Sequence, residues 1–180
     1  DSFNISYITG KFGKAIKVNG KSTSAVYSTL GPGSYNQSSS SFTFDVWLKP
    51  ETTSVGYFSF YMYSGGIYGV EINNSRQVLR LLEKVSGTGS VVEVPLPTLE
   101  WGPWFHFAYV NDVSTNKIYV FINGQKGYEA TNTTSNSLQP CFASYSRGSC
   151  IYDELRISNV ARWTSNFTPF ADPYTSAGVS

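Results

Sequence analysis

The residues that could catalyse a reaction are few and scattered in this sequence. Glycoside hydrolysis needs two carboxyl groups that face one bond, but the glutamates are far apart, among them Glu71, Glu83, Glu93, Glu100, Glu129 and Glu154. The adjacent pair Asp153-Glu154 lies in a predicted strand, where neighbouring side chains point to opposite faces. The sequence therefore predicts no local carboxylate pair, although acids from distant strands could still meet in the fold.

The single histidine is also a weak candidate for a catalytic residue. His106 lies between Phe105 and Phe107 in a predicted strand, which favours a core histidine with a backbone hydrogen bond over a general base. No G-x-S-x-G nucleophile motif and no C-x-x-C metal motif occurs in the sequence. One histidine and two cysteines are too few for a closed zinc site without carboxylate ligands. We therefore expect a protein that is not an enzyme.

The two cysteines lie close together in sequence. Cys141 and Cys150 flank a predicted hairpin whose turn is near residues 146–148. Residues that face each other across such a pair can come within disulfide range. We expect a disulfide, with two free buried thiols as the alternative. A disulfide would indicate assembly or residence outside a reducing cytosol.

Composition limits the classes of protein to consider. The chain has 180 residues, of which 41% are hydrophobic and only 14% charged, with a net charge of +1. This length and apolar content predict one folded domain over residues 1–180, with residues 171–180 as a C-terminal tail. The near-zero charge argues against nucleic-acid binding. No apolar run reaches the roughly 18–20 residues that span a bilayer, so we expect no membrane insertion.

The elements that must position these residues are predicted strands. Residues 104–124 read as two strands, and the second ends in Asn123-Gly124, a pair that favours a type I′ hairpin turn. In residues 42–48, apolar residues at every second position alternate with Thr43, Asp45 and Trp47. Further strands are predicted at residues 15–18, 25–28, 55–63, 68–72, 78–82, 91–94, 127–131, 142–145 and 150–157. About twelve short strands separated by turn residues predict an all-β fold, a two-sheet antiparallel sandwich.

Five segments, in this order, carry a family resemblance: FGKAIKVNG, SFTFDVWLKP, WFHFAYV, IYVFING and YDELRIS. Together they resemble the laminin-G-like, concanavalin A-like lectin jelly-roll superfamily. The ending RISNVARWTSNFTP is most similar to the variant found in phage virion and bacterial surface proteins. The resemblance implies a jelly-roll fold and a role in recognising glycans or proteins. Fold alone does not determine function.

The superfamily includes enzymes, and its glucanases carry E-x-D-x-x-E or E-x-D-x-E on one strand. Neither pattern occurs here, which argues against the same activity. The laminin-G pattern also places a cysteine just before its last strand, the position of Cys150. Related jelly rolls often hold a structural calcium ion with an aspartate in a Tyr-Asp context, and Tyr152-Asp153 matches that context.

The position of Asp153 in its predicted strand also raises the question of a bound cation, without reference to the family resemblance. Alternation in residues 150–157 places Asp153 with Ile151, Leu155 and Ile157 on one buried side, and Arg156 on the other. A buried carboxylate needs a cation or several N–H donors. We expect either a calcium ion, which takes carboxylate and carbonyl oxygens, or backbone N–H groups and hydroxyls as the partners of Asp153.

Aromatic residues outside the predicted core are the remaining indication of a ligand. Tyr57, Tyr61 and Tyr63 share one side of a predicted strand, and Tyr68 and Trp101 could join them. Aromatic rings stack on sugar C–H surfaces, while hydroxyl groups bond the polar edges. These five residues are the predicted ligand site. The alternative is that the tyrosines belong to the core.

The sequence thus predicts a non-enzymatic recognition module, outside the cell or on a virion surface, that binds glycans in adhesion. One alternative is a purely structural virion module, such as a capsid-decorating or fibre domain, that contacts only protein. Another is a glycoside hydrolase or lyase. The expected partner is a glycan or a surface protein, within a larger or oligomeric assembly.

Overall fold

The computed structural model describes residues 4–19, 28–29, 35–51, 57–63, 67–73, 78–85, 88–95, 102–133, 137–138, 140–145 and 149–174. Within residues 57–95 and 137–145 the description covers the backbone only. Fifteen strands occur among these described residues: β1 Asn4–Thr9, β2 Lys14–Asn19, β3 Ser28–Thr29, β4 Tyr35–Asn36, β5 Phe42–Pro50, β6 Tyr57–Tyr63, β7 Ile67–Asn73, β8 Val78–Val85, β9 Thr88–Pro95, β10 Phe105–Asp112, β11 Lys117–Ile122, β12 Gln125–Thr131, β13 Ser137–Leu138, β14 Pro140–Tyr145 and β15 Ser149–Ser158.

Two sheets make up the jelly-roll sandwich. The seven-stranded sheet has the order β1-β2-β15-β5-β10-β11-β12, and the six-stranded sheet has the order β3-β14-β6-β7-β8-β9. Strands β13 and β4 form a separate pair. Every pairing in the seven-stranded sheet is antiparallel. The predicted all-β, two-sheet fold is confirmed. No helix of the length and hydrophobicity needed to cross a bilayer occurs among the described residues.

The predicted hairpin at Asn123-Gly124 is confirmed. Both residues have positive φ, 49° and 75°, and Ile122 pairs directly with Gln125. Gly124 is required for a second reason, because a Cβ atom there would overlap the backbone carbonyl of Phe167. The Phe167 N–H donates a hydrogen bond of 2.9 Å to the Gly124 carbonyl. The turn therefore also anchors a segment that follows the last strand.

Alternation in β5 builds the core as predicted. Phe42, Phe44, Val46 and Leu48 belong to one buried cluster with residues of β10, β11 and β15. The other side of β5, at Thr43, Asp45 and Trp47, is buried as well. Strand β5 lies near the middle of its sheet, so something must cover this second face.

Residues 159–174, which we name the C-terminal strap, cover the second face of the seven-stranded sheet. Ala161, Trp163 and Phe167 pack on a separate buried cluster formed by Ala108, Val110, Tyr119 and Phe121. The Trp163 and Phe167 rings stack with their centroids 3.8 Å apart and their planes 5° from parallel. Thr43 fixes the start of the strap, because its hydroxyl donates to the Val160 carbonyl and accepts from the Arg162 N–H.

A β-bulge in β15 overturns the predicted alternation around Asp153. Asp153 pairs with Trp47 and Arg156 pairs with Asp45, so three steps along β15 match two along β5. Glu154 lies within the bulge. Its φ is 48°, a backbone conformation that residues other than glycine rarely adopt. Ile157 pairs with Phe44 on the core side, while Asp153 and Arg156 both lie on the strap side. The prediction that Asp153 shares a side with Leu155 and Ile157 is therefore wrong.

Candidate functional site

The predicted tyrosines lie in β6, inside the six-stranded sheet. Directly opposed residues of neighbouring strands share a face of the sheet. The register therefore groups residues from five strands on one face, which we name the tyrosine face. Its aromatic and polar members are Tyr57, Ser59, Tyr61 and Tyr63 of β6, Tyr145 of β14, Glu71 and Asn73 of β7, Arg80 of β8, and Glu93 of β9. Apolar and small residues share the face: Ile67, Gly69, Val78, Leu82, Val91, Pro95, Cys141 and Ala143. The face thus combines aromatic, hydroxyl, amide, charged and apolar residues.

The opposite face of the same sheet is apolar along its central rows. Its register rows include Phe58, Ile72, Leu79 and Val94, and Phe60, Val70, Leu81 and Val92. Such a row is what one expects of the side that faces the second sheet of a sandwich. The tyrosine face is then the side that faces away from it.

The register corrects one member of the predicted ligand site. Tyr68 pairs with Met62, which places it on the apolar face, whereas Gly69 is the residue opposite Tyr61. Trp101 lies outside the described residues, as do the side chains of Tyr57, Tyr61 and Tyr63. Their role in ligand binding stays a prediction.

Several residues of the tyrosine face were missed from the sequence. Tyr145 is opposite Tyr57, and Glu71, Arg80 and Glu93 occupy one continuous row across three strands. Alternation within each strand is visible in the sequence, but it does not show which positions of different strands align. That information resides in the strand register.

A polar cluster lies beneath the strap, on the seven-stranded sheet. Asp45, which is fully buried, accepts two hydrogen bonds of 3.0 Å from Arg156, from Nε to Oδ1 and from Nη2 to Oδ2. The Tyr174 hydroxyl donates to Asp45 Oδ2, and the Tyr174 N–H donates to Glu154. We name Asp45, His106, Arg156 and Tyr174 the Asp45 cluster. It joins the sheet to the end of the strap.

His106 is the buried histidine that the sequence predicts. Its Nε2 atom lies 3.3 Å from Asp45 Oδ2 and 3.0 Å from the Tyr174 hydroxyl, so side chains rather than the backbone bind the ring. The rings of Trp47, Trp163 and Phe167 contact it edge-on, with centroids 5.2, 6.0 and 5.7 Å away. The ring is fully enclosed, so no substrate reaches it in this conformation.

Arg156 is held by aromatic rings as well as by Asp45. Its guanidinium carbon lies 3.8 Å from the Tyr174 ring centroid, 5.3 Å from that of Phe170 and 5.6 Å from that of Trp163. Planar stacking of this kind suits arginine better than lysine. Burial and then the neighbouring Asp45 charge raise the pKa of Tyr174, so this hydroxyl stays protonated as a donor.

A family model described as the concanavalin A-like lectin/glucanases superfamily matches residues 20–163, most of the chain. The protein belongs to this superfamily. The jelly-roll resemblance predicted from the five segments is thereby confirmed. No curated protein matches the sequence.

Solved structures of other superfamily-like domains share the fold at low identity. The binding domain of Paraclostridial Mosquitocidal Protein 1 is 14% identical, with a TM-score of 0.65, over 87% of this chain and 42% of that chain. The carbohydrate binding module CBM66 from Bacillus subtilis is 11% identical, with a TM-score of 0.60, over 87% and 93%. An alginate lyase from Pseudomonas aeruginosa is 14% identical, with a TM-score of 0.62, over 81% and 82%. The chain thus spans less than half of the toxin domain but nearly all of the carbohydrate binding module.

Asp153, the aspartate for which the superfamily resemblance suggests calcium, is bound by backbone donors. The Phe12 N–H donates to Oδ2 at 2.8 Å, and the Glu154 N–H donates to Oδ1 at 2.9 Å. Gly10 lies so close that a Cβ atom there would overlap Oδ2. Each oxygen of Asp153 thus accepts one backbone N–H, which agrees with the hydrogen-bond alternative. A calcium ion held by Asp153 and backbone carbonyl groups stays a prediction.

We predict that Asp153→Ala lowers the free energy of unfolding by about 3 kcal/mol, because two N–H groups in a buried setting lose their acceptor. Asp153→Asn, which keeps one acceptor oxygen, should cost less. The measurement is thermal unfolding of all three proteins with and without EDTA. A melting temperature of the wild type that falls in EDTA, together with metal by elemental analysis, would instead establish calcium.

The predicted disulfide is not formed in the structure. Cys141 lies in β14 of the six-stranded sheet, whereas Cys150 lies in β15 of the seven-stranded sheet, so the two strands are not a hairpin. Cys150 is a free, buried thiol whose Sγ is 3.6 Å from the Ile151 carbonyl. The sequence between the cysteines crosses from one sheet to the other. The pKa of Cys150 is raised by burial, which makes this thiol a poor nucleophile.

The buried acidic groups predict loss of stability at alkaline pH. Burial raises the pKa values of Cys150, Tyr152 and Tyr174 in the folded state. In the unfolded chain these groups ionise at about pH 8.5 for cysteine and 10 for tyrosine. Above those values the unfolded state binds fewer protons than the folded state, so stability falls as the pH rises. Melting temperatures measured from pH 7 to pH 11 should decline beyond about pH 9, and Cys150→Ala should shift the onset upward.

Proposed function

We propose that the protein is a non-catalytic carbohydrate-binding module that uses the tyrosine face as its sugar platform. The observation that carries the proposal is the register of the six-stranded sheet. It places Tyr57, Tyr61 and Tyr63 on the face opposite the apolar rows, with Tyr57 directly between Tyr145 and Asn73. Aromatic rings beside amide and hydroxyl groups are the combination that binds sugars.

Gly69 adds a steric argument. It is the register partner of Tyr61, so the position directly beside that tyrosine on β7 has no side chain, and the row continues with Leu82 and Val91. A flat ligand such as a pyranose ring needs open space of this kind next to an aromatic platform. The carbohydrate binding module CBM66, of which this fold covers 93%, supports the same class of function.

The charges on the tyrosine face support binding over hydrolysis. Glu71 and Glu93 lie two strands apart in one row, with Arg80 at the position between them. Opposite charges at opposed positions of neighbouring strands are favourable cross-strand pairs, whereas a hydrolase needs two carboxyl groups that face one bond. The one histidine of the chain, His106, is enclosed on the other sheet, so a histidine base does not reach this face.

We further propose that the module works outside the cell or on a virion surface. The low content of charged residues and the similarity of residues 156–169 to virion and surface proteins support this location. Its partners there would be surface glycans. A module that contacts only proteins is the competing function, and it makes the opposite prediction in a glycan-binding assay.

The test is binding to a panel of neutral and uronic-acid polysaccharides, including alginate, followed by titration calorimetry on any ligand found. We predict that Tyr61→Ala weakens binding about tenfold, or about 1.4 kcal/mol, and that Tyr61→Phe retains most of the affinity because the ring remains. Phe170→Ala, which removes a half-exposed ring on the strap, is the matched control and should leave affinity unchanged.

Two outcomes would contradict the proposal. Absence of binding across the whole panel would favour the structural module. New reducing ends or unsaturated products during incubation with a polysaccharide would show an enzyme, and Glu71→Gln and Glu93→Gln would then identify the acid responsible.

A further inference from the structure

One row of the tyrosine face differs from the two rows beside it. It crosses five strands as Ala143, Ser59, Glu71, Arg80 and Glu93, each directly opposite the next. Along β6 the neighbours of Ser59 on this face are Tyr57 and Tyr61, which lie roughly 13 Å apart at about 3.3 Å per residue. Because alanine and serine have small side chains, the row begins as a low strip beside two aromatic positions.

The rest of the row is charged. Glu71 is the register partner of both Ser59 and Arg80, and Glu93 follows on β9. An ionised carboxylate only accepts hydrogen bonds, and the bonds that it accepts are stronger than those between neutral groups. Beside the low strip, the row therefore offers acceptors that suit the hydroxyl groups of a sugar.

The balance of charge in this row is negative. Two glutamates and one arginine give a net charge of −1, and Arg80 has an acidic residue opposite it on both sides. Pairing with Gly89 places Lys84 on the same face, but Lys84 is four residues from Arg80 along β8, roughly 13 Å. That separation exceeds the Debye length of about 8 Å at physiological ionic strength. A sugar carboxylate at this row would thus meet more negative than positive charge.

We propose that the tyrosine face binds a neutral sugar residue at the strip of Ser59 and rejects acidic sugars. The proposal rests on the carbohydrate-binding function proposed above and adds the chemical class of the ligand. Tyr57 and Tyr61 border the bound sugar, and Glu71 accepts hydrogen bonds from its hydroxyl groups. The net charge of the row excludes uronic acids.

The first test is electrophoresis of the protein through native gels that each contain one polysaccharide. The neutral probes are dextran, xylan, mannan, galactan and a β-glucan, and the acidic probes are alginate, polygalacturonate and hyaluronate. At least one neutral polymer should retard the protein, and no acidic polymer should. The double variant Glu71→Gln/Glu93→Gln changes the charge of the row from −1 to +1, so it should gain retardation by alginate.

The matched control for charge is Glu51→Gln/Glu129→Gln. It makes the same change of two units at exposed glutamates of the other sheet, and it should migrate through alginate as freely as the wild type does.

The second test fills the strip. Ser59→Phe should weaken binding to the retained neutral polymer at least about tenfold, because the ring occupies the place of the sugar. Val91→Phe enlarges a residue of the same face on β9, outside the row, and should retain the affinity. Melting temperatures of both variants show whether the fold is intact, and the charge test does not depend on either of them.

The outcomes distinguish this proposal from the one on which it rests. Absence of retardation by every polymer overturns both. Retardation by an acidic polymer that Tyr61→Ala abolishes leaves the tyrosine platform in place and overturns the neutral ligand. A folded Ser59→Phe variant that binds like the wild type, or a Glu71→Gln/Glu93→Gln variant that still ignores alginate, also overturns it.

Discussion

Asp45→Ala should lower the free energy of unfolding by about 3–5 kcal/mol, the cost of breaking a buried ion pair by removing one partner. Asp45 accepts both hydrogen bonds that Arg156 donates to it, and it also accepts the Tyr174 hydroxyl. Without it, the guanidinium remains in a largely buried site with no counter-charge from Asp45. Urea denaturation, with the midpoint and slope compared between variants, is the measurement.

A control variant from the same sheet distinguishes the loss of a buried charge from the loss of an exposed one. Glu129→Gln breaks the exposed ion pairs that Glu129 of β12 forms with Lys126 of the same strand and with Lys117 of β11. Exposed pairs contribute little, so this variant should unfold at nearly the wild-type midpoint. A double-mutant cycle with Asp45→Ala and Arg156→Ala should give a large coupling energy. Equal effects of Asp45→Ala and Glu129→Gln would mean that the Asp45 cluster contributes no more than a surface pair.

Local patterns predicted most of the long strands and one turn correctly, although β1 at Asn4–Thr9 was missed. Alternation at Phe42, Phe44, Val46 and Leu48 directly reflects the two faces of a strand, so it identified the core side of β5. The Asn123-Gly124 turn was equally predictable, because few residue pairs adopt positive φ at both positions. Such features depend on a few consecutive residues and need no knowledge of the fold.

Features that join distant segments were not predictable. The bulge at Glu154 contains no glycine that would have indicated it in the sequence. It places Arg156 on the opposite side of the sheet from the predicted one. Cys141 and Cys150 are close in sequence but belong to different sheets, because the connection crosses the sandwich instead of turning back. Alternation assumes an unbroken strand, and proximity in sequence assumes a hairpin. The first assumption failed because a bulge shifts the alternation, and the second because the chain passes to the other sheet; neither event has a local sequence signal.

In the candidate site too, the features within one strand were predictable and the features that join different strands were not. The tyrosine row of β6 followed from the sequence, but its neighbours Tyr145, Asn73 and Arg80 required the register. The strap was also hidden, since Trp163 and Phe167 sit in a polar stretch that resembles a loop by composition. Strands β10 and β11 carry apolar residues on both sides, and Trp163 and Phe167 cover the side that faces away from the main core.

Deletion of residues 159–180 should have the largest effect of any change considered. It removes Trp163 and Phe167 from the buried face that Val110, Tyr119 and Phe121 form, and it removes Tyr174 from Asp45. Burying an aromatic side chain contributes about 2–3 kcal/mol, so losing three rings approaches the total of about 5–15 kcal/mol that stabilises a domain. We therefore expect a chain that ends at Ser158 to lose cooperative unfolding and to aggregate through its exposed sheet.

Deletion of residues 175–180 alone is the matched control, because it keeps every strap contact described above, including that of Tyr174 with Asp45. This shorter chain should melt close to the full-length protein in circular dichroism. The intermediate variant Trp163→Ala, which loses the ring stacked on Phe167 and placed over Arg156, should fall between the two. If the chain ending at Ser158 still unfolds cooperatively within a few degrees of the full-length protein, the apolar face of β10 and β11 must be stable in water, and the strap would then be an accessory to the fold instead of a part of it.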